Sequence, residues 1–212
     1  MTEPAKRNAT YEDYLALGDE VRAELIFGSL YVHPAPAPPH GSSQASLTAE
    51  LVFPFQKGRG GPGGWWFMIT PEQHLGPHVA QPDIAGWRKE RMPILPTTSY
   101  IDITPDWVCE ILSPSTESLD RSAKRRLYAT YGVGHLWYLH PVARYLEVLE
   151  LRDGVYAHID TFGDAVEFRA PPFDAVAFTL ADLWPMPPPS ETGPASGLQE
   201  ERTPYVAGSP PA

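Results

Sequence analysis

One acidic residue stands inside the most apolar strand that the sequence predicts. The segment Trp107–Leu112 (WVCEIL) carries a single charge, at Glu110. Side chains alternate between the two faces of a strand, and both faces here are otherwise apolar, which is typical of a central strand covered on both sides. A lone buried carboxylate costs on the order of several kcal/mol unless it is paired or binds a metal. Glu110 is therefore a candidate functional residue; the alternative is that it ends the strand and meets solvent or an arginine.

A second acid, Asp83, opens another apolar segment. It follows Gln81-Pro82 and precedes Ile84-Ala-Gly. Neighbouring strands lie about 4.8 Å apart, so carboxylates on two such strands can come within reach of one ion. Two carboxylates, with waters and a substrate phosphate, suit Mg²⁺ or Mn²⁺. The alternative is an ordinary turn aspartate after a proline.

The third feature is a helix predicted over Leu119–Tyr131. It places Asp120, Lys124 and Tyr128 on one stripe, each four residues after the last. From there the Lys124 ammonium could reach the two carboxylates, orient an attacking water and offset charge on a phosphate. The alternative is an exposed helix with a solvated Asp120–Lys124 salt bridge, worth about a few tenths of a kcal/mol.

Composition and charge narrow the class of protein. The chain has 212 residues, 42% apolar and 20% charged, which are values of a folded globular protein and not of a disordered one. Its net charge of −10 argues against a surface that attracts nucleic acid everywhere, but it allows a local basic patch or a site where metal ions offset clustered carboxylates. The single cysteine, Cys109, excludes an internal disulfide and a Cys-rich zinc site.

Two dense basic clusters are candidates for contact with a nucleic-acid backbone, although a solvated protein face is the more usual explanation of such runs. The clusters are Arg121, Arg125 and Arg126 in the predicted helix, and Arg88, Lys89 and Arg91 after a predicted strand. No apolar run approaches the roughly 20 residues that span a bilayer, and MTEPAKRNAT lacks the apolar core of a signal peptide. We therefore expect a cytoplasmic protein with no membrane partner.

The elements that must position these residues predict a mixed α/β domain around one central sheet, covering residues 10–184. Thr10 and Asp13 form a capping box that opens a short helix through about Leu17. Further elements are expected at Glu24–Val32 (a hairpin), His40–Phe55 (a helix), Trp65–Thr70, Val79–Trp87, Leu136–His140, Tyr145–Leu151, Val155–Thr161 and Phe178–Trp184. Residues 1–9 are expected to form a flexible arm, and residues 185–212, rich in Pro, Gly and Ser, a disordered tail.

Several of these pieces, in this order and spacing, resemble the family named "putative restriction endonuclease", a branch of the PD-(D/E)XK nuclease superfamily. The resemblance covers roughly residues 10–184, and its most specific part is a Ser-Pro-Ser-Thr block after a strand glutamate, with Asp-x-x-x-Lys behind it. The matching pieces are Thr10–Leu17, Glu24-Leu-Ile26 with Gly28, the Pro-rich run ending in His40, Gln81-Pro-Asp-Ile84, Glu110–Thr116, Asp120 with Lys124 and Tyr128, and Gly132-Val133 followed by Leu136–Leu139.

The resemblance implies a restriction-endonuclease-like core, in which a mixed sheet is flanked by helices and carries a metal site at one edge. Asp83 would be the aspartate of the signature, Glu110 its second acid, and Glu24 an additional acid, so that these three would bind Mg²⁺ or Mn²⁺. The position where the signature lysine usually stands is Leu112, and Lys124 matches a lysine supplied from the following helix. The implied activity is DNA endonuclease, and a homodimer is one simple way to cut both strands.

Four further residues are candidates for an accessory role: His40, Asp120, Tyr128 and His135. His40 matches a frequent family histidine that could contact the scissile phosphate or hold Glu24; the alternative is a histidine facing water. His135 stands where family members commonly carry a glutamate, and Phe27 where they usually have an aspartate. His135 is a potential ligand or base, whereas Phe27 is expected to affect only a turn.

Two other function classes compete with the nuclease. One is a binding or regulatory module that keeps the nuclease scaffold without turnover, which the charge of −10 and His135 favour. The other is a small-molecule enzyme on an unrelated α/β fold, which would require that the carboxylates of Asp83 and Glu110 lie far apart.

Overall fold

Two six-stranded sheets build the molecule, and the chain crosses between them several times, once at Gln81–Asp83. The structure is a computed structural model that describes residues 3–18, 20–163 and 167–184. Both sheets are mixed, because each holds one parallel pair among antiparallel ones. The mixed α+β class predicted from the sequence is confirmed, but the strands divide between two sheets where a single central sheet was expected.

The first sheet is small and is made of short strands. Its neighbours pair antiparallel except for one parallel pair at its end, between β5 and β8. In spatial order it contains β1 (Lys6–Arg7), β3 (Ser29–Val32), β2 (Ala23–Ile26), β6 (His78–Ala80), β5 (Glu72–Leu75) and β8 (Tyr100–Ile101).

The second sheet holds the longer strands and the apolar strand singled out above. Its one parallel pair joins β9 to β10. In spatial order it contains β12 (Val155–Gly163), β11 (Tyr145–Arg152), β10 (His135–His140), β9 (Trp107–Ile111), β7 (Ile84–Arg88) and β4 (Trp65–Ile69). A separate two-stranded ribbon joins β13 (Glu167–Phe168) to β14 (Phe178–Thr179).

Helices cover the sheets and contain two π-helical segments. The first helix begins with the predicted capping box, in which the Thr10 side chain accepts from the Asp13 N–H and Asp13 accepts from the Thr10 N–H. The helical elements are α1 (Tyr11–Leu15), α2 (Pro38–Leu51) continued by a π segment (Val52–Gln56), α3 (Glu117–Leu119) continued by a π segment (Asp120–Lys124) into α4 (Arg125–Thr130), and a 3₁₀ turn (Leu180–Leu183). Within the described residues, none of these helices has the length and apolar character that crossing a bilayer requires.

The strand β9 is central and buried on both faces, as its sequence predicted. Its odd-numbered side chains pack against α2 and the following π segment, whereas Val108 and Leu112 face the other core, which includes α4. The residues that join β9 to α2 and its continuation are Trp107, Cys109, Ile111, Leu47, Leu51 and Phe55. Two apolar layers therefore clamp β9, and its position fixes that of Glu110.

Three expectations about the elements need correction. Lys6–Arg7, expected in a loose arm, forms β1 against β3. The run Val79–Trp87, expected as one strand, splits into β6 and β7 because Pro82 has no N–H to donate to a ladder. The first helix ends at Leu15, before the expected Leu17. The tail expected over residues 185–212 lies outside the described residues.

The packing of α2 on β9 predicts a large loss of stability for Leu47→Ala. Leu47 is fully buried between these elements, so the change removes apolar contacts and leaves a cavity, at a cost of about 2–5 kcal/mol in the free energy of unfolding. Urea denaturation measures it. Ser42→Ala, on an exposed position of the same helix, should change stability by less than about 0.5 kcal/mol; similar values for the two variants would contradict this packing.

Candidate functional site

Four acidic side chains and one lysine meet where the two sheets approach the α3–α4 helical segment. They come from β2, from the residue before β7, from β9 and from the π segment: Glu24, Asp83, Glu110, Asp120 and Lys124. As whole residues, none of the five is more than 8% exposed. All five line a cavity of about 130 Å³. The structure thus brings together the acids and the amine that the sequence scattered over a hundred residues.

Asp83 and Glu110 are adjacent because their strands are. Ile84 pairs with Cys109 in the β7–β9 register, which sets Asp83 beside Glu110 at the end of the ladder. The Asp83 Oδ2 accepts a hydrogen bond from the Ile111 N–H at 2.7 Å, and the Asp83 N–H donates to Glu110 Oε2 at 3.4 Å. Both carboxylates are therefore held by the backbone of the partner strand, as the two-strand argument predicted.

The Lys124 ammonium lies among the carboxylates and is not a surface charge. Its Nζ is 2.8 Å from Glu110 Oε1, 3.2 Å from Glu24 Oε1 and 3.4 Å from Asp120 Oδ1. The Lys124 side chain is 4% exposed, so the Asp120–Lys124 pair is buried. The alternative interpretation, a solvated salt bridge on an exposed helix, does not hold. The π-helical segment that carries both residues is a type of distortion frequent at functional sites.

Tyr128 continues the same stripe of the helix into the site. Its hydroxyl donates to Glu110 Oε1 at 2.5 Å, on the oxygen that Lys124 also contacts. Two donors therefore hold Glu110 Oε1, whereas among the described residues Glu110 Oε2 accepts one long bond, from the Asp83 N–H. The Glu110 oxygen nearest Asp83 is the one with the most free acceptor capacity.

Two histidines border the site, and only one was singled out from the sequence. His40 Nε2 lies 3.1 Å from Asp83 Oδ1, so His40 contacts Asp83, whereas the sequence reading set it against Glu24 or a phosphate. His33 Nε2 lies 2.8 Å from Glu24 Oε2. The register of the predicted hairpin could have identified His33. Glu24 pairs with Tyr31, and the His33 N–H donates to the Arg22 carbonyl. His33 therefore follows Tyr31 by two residues and lies on the same face as Glu24.

Burial and mutual repulsion raise the pKa values of two of the acids. Burial, Asp120, Asp83 and Glu24 together raise the pKa of Glu110 well above its ordinary range, against the opposing effect of Lys124. Burial also raises the pKa of Asp120, to about 6. Glu24 behaves differently: burial would raise its pKa, but Lys124, His33 and the Gln81 N–H outweigh it and lower the pKa to about 2. The carboxylates exceed the lysine in number, so the site has a surplus of buried acid.

The donor set suits a hard divalent cation that keeps part of its water. Across residues 3–18, 20–163 and 167–184, no group of three or more His, Cys, Asp or Glu side chains is arranged to hold a metal ion. The Glu24 oxygens accept from Lys124, His33 and Gln81, and its role as a third ligand stays a prediction. Asp83 and Glu110 lie on adjacent strands, and one or two carboxylates with waters are the usual ligands of Mg²⁺.

His135 does not reach the site. The β9–β10 register sets it opposite Trp107, whereas Tyr138 stands opposite Glu110. Burial lowers the pKa of His135, and its charged neighbours, Asp106 and Glu150 among them, belong to the other end of the sheet. In this geometry His135 is too far along the strand to act as a ligand or base in the acidic site.

The basic residues proposed for nucleic acid have protein partners. Arg121 pairs with Glu117 at 3.0 Å and with Glu147 at 2.7 Å. The others donate to a carbonyl, lie over an aromatic ring or form an ion pair: Arg125 with the Tyr156 carbonyl, Arg126 over Phe27, Arg88 over Trp65, Lys89 over Trp66 and Arg91 with Asp106. A phosphate backbone would have to compete with these contacts.

Comparison with known proteins identifies the family of this chain and its fold. The model of the Uma2 family, described as "Putative restriction endonuclease", matches residues 10–181. The chain belongs to this family. Its fold is that of the crystal structure of a "putative nuclease belonging to DUF820" from Anabaena variabilis ATCC 29413, with a TM-score of 0.67 at 20% identity over 82% of this chain and 97% of the other. No curated protein matches the chain.

Membership of the Uma2 family thus confirms the resemblance stated from the sequence, and the shared fold confirms the mixed α+β architecture. At 20% identity the solved structure speaks for the fold alone. The roles of Asp83, Glu110 and Lys124 therefore depend on the geometry given above.

The buried ammonium predicts a pH-dependent loss of stability for Lys124→Met. At pH 7.5 the change leaves Glu110, Glu24 and Asp120 without their cation, and we expect a loss of about 3–5 kcal/mol in the free energy of unfolding. Without the ammonium, the folded variant holds carboxyl groups whose pKa values are raised. Such a group stabilises the folded state at low pH, and this stabilisation is lost as the pH rises. The loss measured by urea denaturation should therefore be smaller at pH 5.

Lys57→Met is the matched control, because Lys57 is exposed and outside the site. It should leave the free energy of unfolding nearly unchanged at both pH values. An equal loss for Lys124→Met at pH 5 and pH 7.5 would show that its ammonium does not balance ionised carboxylates.

Proposed function

We propose that this protein is a divalent-cation-dependent phosphodiester hydrolase that acts as a DNA endonuclease. The observation that carries the proposal is the Lys124 ammonium, buried within 2.8 Å of Glu110, beside the paired carboxylates of Asp83 and Glu110. Membership of a family described as "Putative restriction endonuclease" supports nucleic acid as the substrate.

Asp83 and Glu110 are the residues that would hold Mg²⁺ or Mn²⁺. Their carboxylates sit on adjacent strands and are fixed by backbone donors, so little reorganisation is needed to bind. When bound, the cation supplies Lewis acidity, which offsets charge on the phosphate and makes water a better nucleophile at neutral pH. The surplus of buried acid gives a cation a favourable electrostatic environment.

Lys124 positions the attacking water and balances charge. Glu24 and Asp120 hold its side chain from two directions, so the ammonium is preorganised and pays little entropy when the substrate binds. Carboxylate partners also raise the pKa of Lys124 well above its ordinary value, although burial alone would lower it. Lys124 therefore acts as a permanent cation and hydrogen-bond donor, not as a general base.

The remaining residues keep this arrangement in place. His40 contacts Asp83, Tyr128 donates to Glu110, and His33 holds the far oxygen of Glu24. Hydrolysis then proceeds by in-line attack of water on phosphorus, which breaks one P–O ester bond without a covalent enzyme intermediate. The proposal places this activity in the cytoplasm, and a homodimer would serve where both strands of a duplex are cut.

A specific observation favours a second candidate, a nuclease-fold module without turnover. The Lys124 ammonium already lies between Glu24 and Glu110 and neutralises part of their charge, which weakens the attraction of these carboxylates for a metal cation. The net charge of −10 also weakens attraction to DNA. The assay below separates the two candidates.

A plasmid-nicking assay with Mg²⁺ or Mn²⁺ tests the proposal. We expect wild-type protein to relax supercoiled plasmid, and Asp83→Asn and Lys124→Met each to lose at least ~100-fold in rate, because each removes a group that acts on the reacting phosphate or water. Asp160→Asn, an exposed acid on β12, is the matched control and should keep the wild-type rate.

Two results would contradict the assignment. Wild-type rates for folded Asp83→Asn or Lys124→Met would remove that residue from the mechanism. No nicking by wild-type protein with either cation would favour the module without turnover.

A further inference from the structure

A groove lined by aromatic rings lies next to the acidic site and has no part in the proposed chemistry. Two cavities, of about 450 Å³ and about 410 Å³, share Tyr11 and Tyr100 in their walls. Both tyrosines are exposed, at 40% and 36%. We call these two cavities together the aromatic groove. Their volumes fall within the range of small-molecule sites.

The rings of the aromatic groove are fixed before anything binds. Tyr100 stacks on His74 with ring centroids 4.2 Å apart, and Tyr11 meets His74 edge-on at 5.8 Å. Glu72 holds two of the neighbouring side chains. One of its oxygens accepts from the Tyr14 hydroxyl at 2.9 Å, and the other lies 2.7 Å from His74 Nε2. Tyr11 and Tyr100 thus each contact His74 and still stay exposed.

Gln81 joins the aromatic groove to the acidic site. It lines the 410 Å³ cavity of the groove and also the cavity that holds the acids. Its backbone N–H donates to Glu24 Oε1 at 2.7 Å. Asp83 follows two residues later, so the Cα atoms of Gln81 and Asp83 are at most about 7 Å apart.

We propose that the aromatic groove binds unpaired bases of a DNA strand whose phosphate lies in the acidic site. The inference rests on the proposed function and names its substrate class: DNA with unpaired bases next to the scissile phosphate. Bases stack on exposed aromatic rings in a sequence-tolerant way, and a strand that leaves the acidic site past Gln81 enters the cavity that Tyr11 and Tyr100 line. Duplex DNA keeps its bases stacked inside the helix and cannot use these rings.

The charge distribution favours stacking over phosphate contacts. The protein carries a net charge of −10, and Arg121 and Arg91, one from each basic cluster, form ion pairs with acidic side chains. Stacking on an aromatic face needs no positive charge on the protein. Basic proteins gain affinity for DNA when their Lys and Arg side chains displace counterions from the phosphates. This acidic protein gains little affinity in that way, and stacking supplies it instead.

Fluorescence anisotropy with a labelled oligothymidylate and a blunt duplex of equal length tests the inference. Ca²⁺ replaces Mg²⁺, and gels verify that the DNA stays intact. We expect wild-type protein to bind the single strand more tightly, and Tyr11→Ala and Tyr100→Ala each to weaken single-strand binding by roughly 5- to 150-fold. Tyr11→Phe and Tyr100→Phe, which keep the ring, should bind like wild type.

Phe53→Ala is the matched control, since Phe53 is an aromatic residue 54% exposed that lines neither cavity of the aromatic groove. It should leave binding unchanged. Wild-type affinity in both tyrosine-to-alanine variants, or equal affinity for single strand and duplex, would overturn the inference.

The failures of the two proposals are distinguishable. If the tyrosine-to-alanine variants bind like wild type, or single strand and duplex bind equally, but wild-type protein nicks plasmid, the nuclease proposal stands and only the aromatic groove is rejected. Loss of single-strand binding in the two alanine variants, without nicking by wild-type protein, would support the groove and reject the hydrolase.

Discussion

One buried ammonium among four carboxylates is the interaction on which the rest of the site depends. Lys124 contacts Glu110, Glu24 and Asp120 at 2.8–3.4 Å, and each of these groups alone would be costly to bury. Ion pairs of this kind add little net stability compared with apolar packing, but removing one partner is strongly destabilising. The arrangement is thus explained better by function than by folding, because it keeps acid concentrated at one point.

The junction between the two sheets creates that point. Pro82 interrupts the strand pattern, and at this point the chain crosses from β6 in the first sheet to β7 in the second. Glu24 on the first sheet and Glu110 on the second then face the same helical segment, with Asp83 at the crossing. The same crossing places Gln81 in the walls of both the acidic cavity and the aromatic groove. The interruption at Pro82 therefore sets Asp83 in the acidic site and Gln81 at its border with the groove.

Much of this could be predicted from the sequence, where a residue contradicts its local pattern. Glu110 in an apolar strand and Asp83 at the start of another identified the paired carboxylates, and four-residue spacing placed Lys124 and Tyr128 on one side of the helix. Family resemblance was needed for Glu24, because an acid in a short hairpin strand breaks no pattern. What local patterns could not supply was pairing over long distances. The register that removes His135 from the site, the division into two sheets and the ion pair of Arg121 with Glu147 all depend on strands distant in sequence.

Calorimetry with Mn²⁺ tests the central claim most directly, since it reports on the cation without requiring turnover. If the surplus of buried acid is a cation site, wild-type protein takes up Mn²⁺ with a saturable heat, and Asp83→Asn abolishes that heat while the fold persists. Uptake that is absent in wild-type protein, or unchanged in folded Asp83→Asn, would contradict the account.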